Sequence, residues 1–227
     1  MFLTSDNKLK VKWLKWGGAI TLVLVLLGVV WFDKPLYILM RHLDSPIWKV
    51  FDRVFDVKMW LILTGLLLLL VYAKKTLDSN IKYKNDKNQF SVVSIIKDFM
   101  TKVRTNYAFL IFSSVLSAGI VAQIIKVIVG RFRPIFFEAL DITGFRPFSF
   151  EWAFNSMPSG HSAATFAGLV MVGMLVPKYK PLTWALAIIV GASRIACGAH
   201  WPTDVILGAF IGMVAADLIK WWAYKHK

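Results

Sequence analysis

Six long apolar segments separate the polar parts of this 227-residue chain. They run from Trp16 to Phe32, Met59 to Ala73, Tyr107 to Val129, His161 to Val176, Leu182 to Cys197 and Val205 to Trp222. Hydrophobic residues make up 57% of the chain and charged residues 18%, a balance too apolar for a soluble domain of this size. A bilayer-spanning helix needs about 20 residues, and lysines beside the shorter segments can reach the interface and lengthen them. We therefore predict an all-α membrane bundle of six transmembrane helices that forms one domain.

The positions of the lysines and arginines orient this bundle. With an intracellular N-terminus, the inner segments hold 17 Lys and Arg residues and the outer segments hold eight. Short cytoplasmic loops concentrate these residues, so we predict that both termini are cytoplasmic. Residues 74–106 then form a cytoplasmic connector, and residues 130–160 form an outer interfacial loop. The same pattern accounts for the formal net charge of +14 without a nucleic-acid partner.

The first apolar segment follows several lysines, a pattern shared by removed signal peptides and retained anchors. The sequence Trp31-Phe32-Asp33-Lys34-Pro35 is bulky and charged and offers no small-residue cleavage site, so we favour a retained helix. The chain also lacks an Asn-x-Ser/Thr sequence, which favours a bacterial protein of the inner (plasma) membrane. One cysteine and four histidines give no set of ligands at metal spacing, so we predict neither a disulfide nor a metal site.

Polar residues that could carry chemistry lie at the outer ends of the later apolar segments. Lys126 ends the third segment, His161 begins the fourth, and residues 193–204 join the fifth to the sixth. In the predicted topology all three positions reach the outer surface of the membrane. An odd number of crossings between any two of them would have placed them on opposite sides. We therefore predict one shared site at the outer surface, built from residues 126–204.

The residues at this surface match the needs of phosphoryl transfer. Lys126, Arg133 and Arg194 would supply cations, and the planar guanidinium of arginine can bind two phosphate oxygens at once. Ser159 and Gly160 precede the fourth helix, where backbone N–H groups and the helix dipole favour an anion. Because it has no side chain, Gly160 also allows close approach. These five residues form the predicted phosphate-binding set.

Two histidines and an aspartate complete the predicted chemistry. His200 and Asp204 are four residues apart, so a helix that starts near Pro202 would bring the carboxylate close to the imidazole. Asp204 would keep one ring nitrogen protonated, which leaves the other free to attack phosphorus. His161 comes from a different segment and is the candidate acid that protonates the leaving oxygen.

Three motifs resemble those of the type 2 phosphatidic acid phosphatase superfamily, which are integral membrane lipid phosphatases that share a catalytic site with vanadium haloperoxidases. The pattern of Lys, six residues and Arg-Pro matches residues 126–134, and Pro-Ser-Gly-His matches residues 158–161. The pattern of Ser-Arg, five residues, His, three residues and Asp matches residues 193–204. The resemblance covers about residues 107–222 closely and the first two segments only by hydropathy.

This resemblance implies a phosphohistidine formed on His200, with Asp204 as its orienting partner, His161 as general acid and no metal cofactor. It implies phosphate contacts from Lys126, Arg133, Ser159, Gly160 and Arg194. Two stretches, residues 130–134 and 198–204, are similar to bacterial enzymes that act on lipid A 1-phosphate, undecaprenyl diphosphate or phosphatidylglycerophosphate. Among these substrates we favour lipid A 1-phosphate, although the motif residues would bind only the phosphate that all three share.

The outer loop repeats one pattern, Phe-Arg-Pro-x-x-Phe-Glu, at residues 132–138 and again at residues 145–151. Spacing from Lys126 selects Arg133 as the arginine of the site. Arg146 is then either a second contact to the lipid head group or an interfacial anchor. We hypothesise that the loop lies in the outer interface with its phenylalanines and Trp152 in lipid and Arg146 near the head group.

Three alternatives to hydrolysis of a lipid phosphate remain open at this point. A lipid phosphotransferase would use the same site and pass the phosphoryl group to another lipid. A vanadate-dependent haloperoxidase would hold vanadate in the same kind of pocket, but a membrane-embedded body gives halide oxidation no advantage. A transporter or structural membrane protein would be expected to carry charges midway along its helices, and none is clearly placed there.

Overall fold

The computed structural model describes residues 2–4, 6–43, 45–83 and 104–225. Over these residues the fold is all-helical, as predicted. Its helices are α1 (Val11–Leu27), α2 (Asp33–His42), α3 (Pro46–Val54), α4 (Val57–Tyr83), α5 (Tyr107–Val129), α6 (Pro134–Leu140), α7 (Gly160–Leu175), α8 (Lys180–Ala196) and α9 (Pro202–Tyr224). A π-helical turn, Gly28–Phe32, joins α1 to α2.

Several helices are suited to a bilayer. Within the described residues, four helices are long and apolar enough to cross one, namely Val11–His42, Val57–Lys74, Tyr107–Val129 and Pro202–Tyr224. The helices α7 and α8 are shorter, with 16 and 17 residues. The chain is thus a helical membrane protein, and the count of six crossings stays a prediction.

The first helix is longer than the sequence predicted, because it continues past Phe32 to His42. Pro35 would normally break a helix, since its ring clashes with the carbonyl four residues earlier and it cannot donate to that carbonyl. The π turn just before it is wider, and here the N–H of Asp33 bonds the carbonyl of Gly28 five residues back. A widened turn gives the proline room, so α1 and α2 run on as one interrupted helix.

The predicted connector also differs in part from the structure. The helix α4 does not end near Ala73 but continues to Tyr83, ten residues into the segment predicted as a connector. Residues 84–103 lie outside the described residues. The role predicted for the connector therefore stays a prediction.

The helix α7 lies at the centre of the bundle, where it packs against α4, α5, α8 and α9. Small residues allow this packing, because a Cβ added to Gly208 or Gly212 of α9 would overlap the backbone of α7 at Ser159 or Ala163. Such close contact between helices is typical of small residues four apart in membrane proteins. It brings the first turns of α7 and α9 together, at the end of the bundle where α5 and α8 finish.

Candidate active site

Lys126 and Arg133 are both buried and are held together by backbone carbonyls. Lys126 Nζ donates to the carbonyls of Asn155, at 2.7 Å, and Ser156, at 3.2 Å. Arg133 Nη2 donates to the same Asn155 carbonyl at 3.3 Å, and its Nη1 donates to the carbonyl of Ala199 at 3.1 Å. Burial lowers the pKa of Arg133 to about 10, against the opposing effect of Asp204, so the guanidinium is still charged at neutral pH.

Arg194 lies in the last turn of α8, and it faces an acidic corner made by Asp52 of α3 and Asp56 just before α4. The Arg194 guanidinium forms an ion pair with Asp52. His161 Nε2 lies 2.9 Å from Asp56 Oδ2 and 3.9 Å from Asp52 Oδ1. Two carboxylates that no motif singled out therefore contact two of the predicted site residues.

The first turn of α7 brings Ser159 and Gly160 to the same place. Ser159 is the N-cap, and its Oγ accepts from the Ser162 N–H at 3.3 Å. Its own N–H donates to the Asp204 carbonyl at 2.8 Å, so this N–H does not face an anion, contrary to the sequence-based prediction. Gly160 remains close to Lys126, because a Cβ there would lie 3.7 Å from the Lys126 Cε. The groups of this turn that could contact an anion, as predicted, are then the Gly160 N–H and the Ser159 hydroxyl.

His200 and Asp204 face each other in the loop before α9 and in its first turn, and α9 begins at Pro202, as expected. The distance from His200 Nδ1 to Asp204 Oδ2 is 3.6 Å, longer than a hydrogen bond. Burial lowers the pKa of His200 well below its ordinary value; nearby Asp204 opposes this shift, and three neighbouring cations add to it. The imidazole is therefore neutral at physiological pH, which a nucleophile requires.

Asp204 is fully buried and its carboxylate accepts several strong hydrogen bonds. Oδ1 accepts from Arg131 Nη1 at 2.7 Å. Oδ2 accepts from the hydroxyl of Ser156 at 2.5 Å and from the backbone N–H of Trp201 at 2.9 Å. These contacts fix the carboxylate beside the imidazole of His200.

The structure separates the two arginines of the repeated pattern. Arg133 precedes α6 and reaches inward, whereas Arg146 lies in the loop after the isolated bridge at Phe145 and has a largely exposed side chain. Arg146 Nη1 bonds Glu151 Oε1 at 3.1 Å, and its guanidinium lies 5.0 Å from the ring centre of Phe154. The backbone N–H of Arg146 donates to the Gly130 carbonyl, which ties this segment to the end of α5. Arg146 is thus near the site loop but outside the buried cluster.

Sequence reasoning missed Arg131, Ser156 and the carboxylates of Asp33, Asp52 and Asp56. Only Asp33 and Arg131 carried a signal that could have found them, since a charge at the end of an apolar segment is costly without a partner. Ser156 and the two aspartates of the acidic corner stand in polar stretches where nothing in the sequence distinguishes them. The motif residues themselves all lie at one end of the bundle.

Together these groups form a largely buried cluster of cations, carboxylates and two histidines at one end of a helical bundle. The helices α7 and α9 both direct their N-terminal, electropositive ends toward it. The neutral imidazole of His200 lies beside the buried Asp204 carboxylate, and His161 lies at the rim of the cluster. These features define a site for an anionic group such as phosphate.

Comparison with known proteins agrees with a membrane protein whose site binds phosphate. A sequence model described as the PAP2 superfamily matches residues 107–227. The lipid A 1-phosphatase of Rhizobium johnstonii is 33% identical over 203 residues, which cover 88% of this chain and 77% of that protein. The undecaprenyl-diphosphatase of Sulfolobus acidocaldarius is 26% identical over 67% of this chain and 85% of its own length. Phosphatidylglycerophosphatase B of Escherichia coli K12 is 34% identical over 31% of this chain and 30% of its own length.

The chain belongs to the PAP2 superfamily. The resemblance inferred from the three motifs is therefore confirmed, as is the prediction of an enzyme of the phosphatase class. No solved structure matches the chain significantly. The helices α1 to α4 lie outside the region that the family model matches.

Proposed function

We propose that the protein is a metal-independent lipid phosphatase that works through a phosphohistidine on His200. The observation that carries this proposal is the convergence of Lys126, Arg133 and Arg194 around a neutral, buried His200. Three cations can hold the equatorial oxygens of a phosphoryl group, which is the main demand of this chemistry. The apolar helices that carry these residues suit a substrate that is itself a membrane lipid.

In the proposed reaction Nδ1 of His200 carries its proton on the Asp204 side, and Nε2 attacks phosphorus. The bond from phosphorus to the lipid oxygen breaks as the bond to Nε2 forms, and His161 gives its proton to the leaving oxygen. Water, deprotonated by His161, then attacks the phosphohistidine and releases inorganic phosphate and neutral His200. If another lipid took the place of water, the same intermediate would lead to phosphotransfer.

We also propose that the bundle crosses the membrane six times, with cytoplasmic termini and the site on the outer face of a bacterial inner membrane. The arrangement of the site supports this, since its residues come from the ends of α5 and α8 and the starts of α7 and α9. Those four helices would cross in alternating directions. The excess of basic residues on the opposite side supports the orientation.

As the substrate we favour lipid A 1-phosphate over undecaprenyl diphosphate and phosphatidylglycerophosphate. Support comes from the Rhizobium johnstonii relative, whose match covers most of both chains. The test is to incubate detergent-purified protein with each lipid in the presence of a chelator and to measure released phosphate. Fastest release from lipid A 1-phosphate is expected. Faster release from another lipid would change the substrate, and no release from any lipid would contradict the proposed function.

The pH profile gives a first prediction. A nucleophilic histidine must be unprotonated, and the pKa of His200 lies well below 6.5, so the acid limb of kcat/KM should also lie below pH 6.5. Replacing Arg133 with glutamine removes one cation that lowers this pKa, and the acid limb should move to higher pH. The substrate titrates equally in the assays of the wild type and of Arg133→Gln. A difference between the two pH profiles therefore comes from a group of the protein. Identical limbs in the two proteins would contradict the assignment of His200.

A second prediction concerns Arg146 as a contact to the lipid head group. Because its side chain is largely exposed, Arg146→Ala should raise KM for the lipid by only about two- to fivefold. Turnover of a soluble ester such as p-nitrophenyl phosphate should not change. Lys34→Ala is a matched control, because Lys34 is also an exposed cation paired with an aspartate, at 3.6 Å from Asp141. If Arg146→Ala kept the activity of the wild type on the lipid as well as on the soluble ester, the contact would be ruled out.

A further inference from the structure

A buried chain of charges links the first helix to Asp204. Arg131 donates from Nη2 to Asp33 Oδ2 at 2.6 Å and from Nη1 to Asp204 Oδ1 at 2.7 Å. Exposure is 2% for Asp33, 5% for Arg131 and 0% for Asp204. The two carboxylates outweigh the effect of burial and raise the pKa of Arg131 above its ordinary value. One permanently charged guanidinium therefore bridges two buried carboxylates.

Asp33 also caps the start of α9. The N-cap residue Trp201 has no side-chain acceptor, and Asp33 Oδ1 instead accepts from the Thr203 backbone N–H at 2.9 Å. The Thr203 hydroxyl donates to Asp33 Oδ2 at 2.6 Å and accepts from Arg131 Nη1 at 2.7 Å. A residue from the first helix thus supplies the cap for the helix turn that carries Asp204.

The π turn at Gly28–Phe32 explains how the first helix reaches so far into the site. A Cβ on Gly28 would overlap the methyl group of Thr203, so the glycine lets the two helices touch. The extra residue in the turn rotates the following helix, and Asp33 is the first residue after it. Turns of this kind are frequent at functional sites.

We propose that Asp33 and Arg131 are positioning residues for the Asp204–His200 pair, so that the first helix completes a site whose motif residues all come from residues 126–204. This proposal rests on the proposed function. Arg131 holds Oδ1 of Asp204, which directs Oδ2 toward His200, and Asp33 holds Arg131. Without Asp33 the guanidinium has one carboxylate left and is held less firmly, so only the contacts of Ser156 and the Trp201 N–H to Oδ2 still orient Asp204 toward the imidazole.

The test uses Asp33→Asn, which keeps the size of the side chain and removes its charge. We expect kcat to fall about 10- to 100-fold with KM within about twofold, the range seen when residues that orient metal ligands are removed. Asp217→Asn is the matched control, because Asp217 is equally buried in α9 and accepts from the Phe2 backbone N–H at 2.9 Å, far from the site. The control should leave kcat unchanged.

A double-mutant cycle asks whether Asp33 acts through Arg131. In an Arg131→Met background, Asp33→Asn should cost nothing further in kcat, because the residue it held is gone. Thr203→Val, which removes only the shared hydroxyl, is the variant to use if Asp33→Asn does not fold. Additive losses in the cycle, or equal losses for Asp33→Asn and Asp217→Asn, would overturn the proposal.

Binding of anions separates this proposal from the proposed function. Orthovanadate mimics the pentacoordinate transition state, whereas inorganic phosphate resembles a ground state, and only the former depends on a well-placed His200. Asp33→Asn should weaken vanadate binding about tenfold or more and leave phosphate binding within twofold, as measured by calorimetry. Unchanged vanadate binding would overturn the positioning role. Wild-type protein that binds vanadate but releases no phosphate from any lipid would contradict the proposed function alone.

Discussion

Replacing His200 with alanine should abolish phosphate release from every lipid tested, with a loss of at least about 10³-fold in kcat. Removing a nucleophile removes the covalent route altogether, and only the electrostatic part of catalysis is left. The buried position of His200 beside Lys126 and Arg133 means that no solvent-exposed group can take its place at phosphorus. Activity should be measured as released phosphate in detergent, with protein folding checked by thermal unfolding.

A matched control for this variant is His42→Ala. His42 lies at the end of α2, and its Nδ1 is 2.7 Å from the carbonyl of Ile38, so it differs from His200 in exposure and in partners. The control should be fully active. Rapid acid-free quenching with a radiolabelled lipid should also trap a base-stable phosphoenzyme in the wild type and none in His200→Ala. Substantial release by His200→Ala would exclude the phosphohistidine route.

Replacing Asp204 with asparagine should reduce both activity and stability. The carboxylate accepts from Arg131, Ser156 and Trp201, and an amide must point its NH₂ group at one of these donors. Arg131 keeps its ion pair with Asp33, but a buried donor that has lost its acceptor costs about 1–3 kcal/mol, and more when the donor is charged. We expect a fall of this size in the free energy of unfolding, measured by denaturant titration in detergent.

The control for Asp204→Asn is Asp141→Asn at an exposed aspartate whose partner, Lys34, lies 3.6 Å away. Exposed pairs contribute about 0–1 kcal/mol, so this variant should unfold like the wild type. Activity of Asp204→Asn should fall together with stability because His200 loses the group that holds its Nδ1 proton. A stable, fully active Asp204→Asn protein would show that Asp204 serves neither purpose.

The motif residues of the site were predictable because the membrane imposes a strong restriction on where charges can lie. Lys126, Arg194 and His161 stand at the ends of apolar segments, and a count of crossings was enough to predict that they share a surface. The order and spacing of the motifs added His200 and Asp204. These inferences need only hydropathy and short-range spacing, both of which a single sequence contains.

The supporting contacts were not predictable in the same way. Asp33 and Arg131 are 98 residues apart and come together only through the packing of the first helix on α9. The apolar segment in the sequence ends at Phe32, whereas the helix continues to His42. The π turn lets the helix continue past Phe32, and no local pattern in the sequence predicts such a turn. The use of the Ser159 N–H by the Asp204 carbonyl likewise depends on how closely α7 and α9 approach.

The acidic corner has a consequence for how each turnover ends. Asp52 and Asp56 lie against Arg194 and His161, so in the proposed reaction an incoming phosphate would exchange with carboxylates rather than enter an empty cationic site. The same carboxylates are tethered to the protein and therefore compete with free inorganic phosphate at a high effective concentration. Product inhibition should be weak for this reason. A substrate with a long lipid anchor can still displace these two carboxylates, whereas the inorganic phosphate that remains has no anchor and is released.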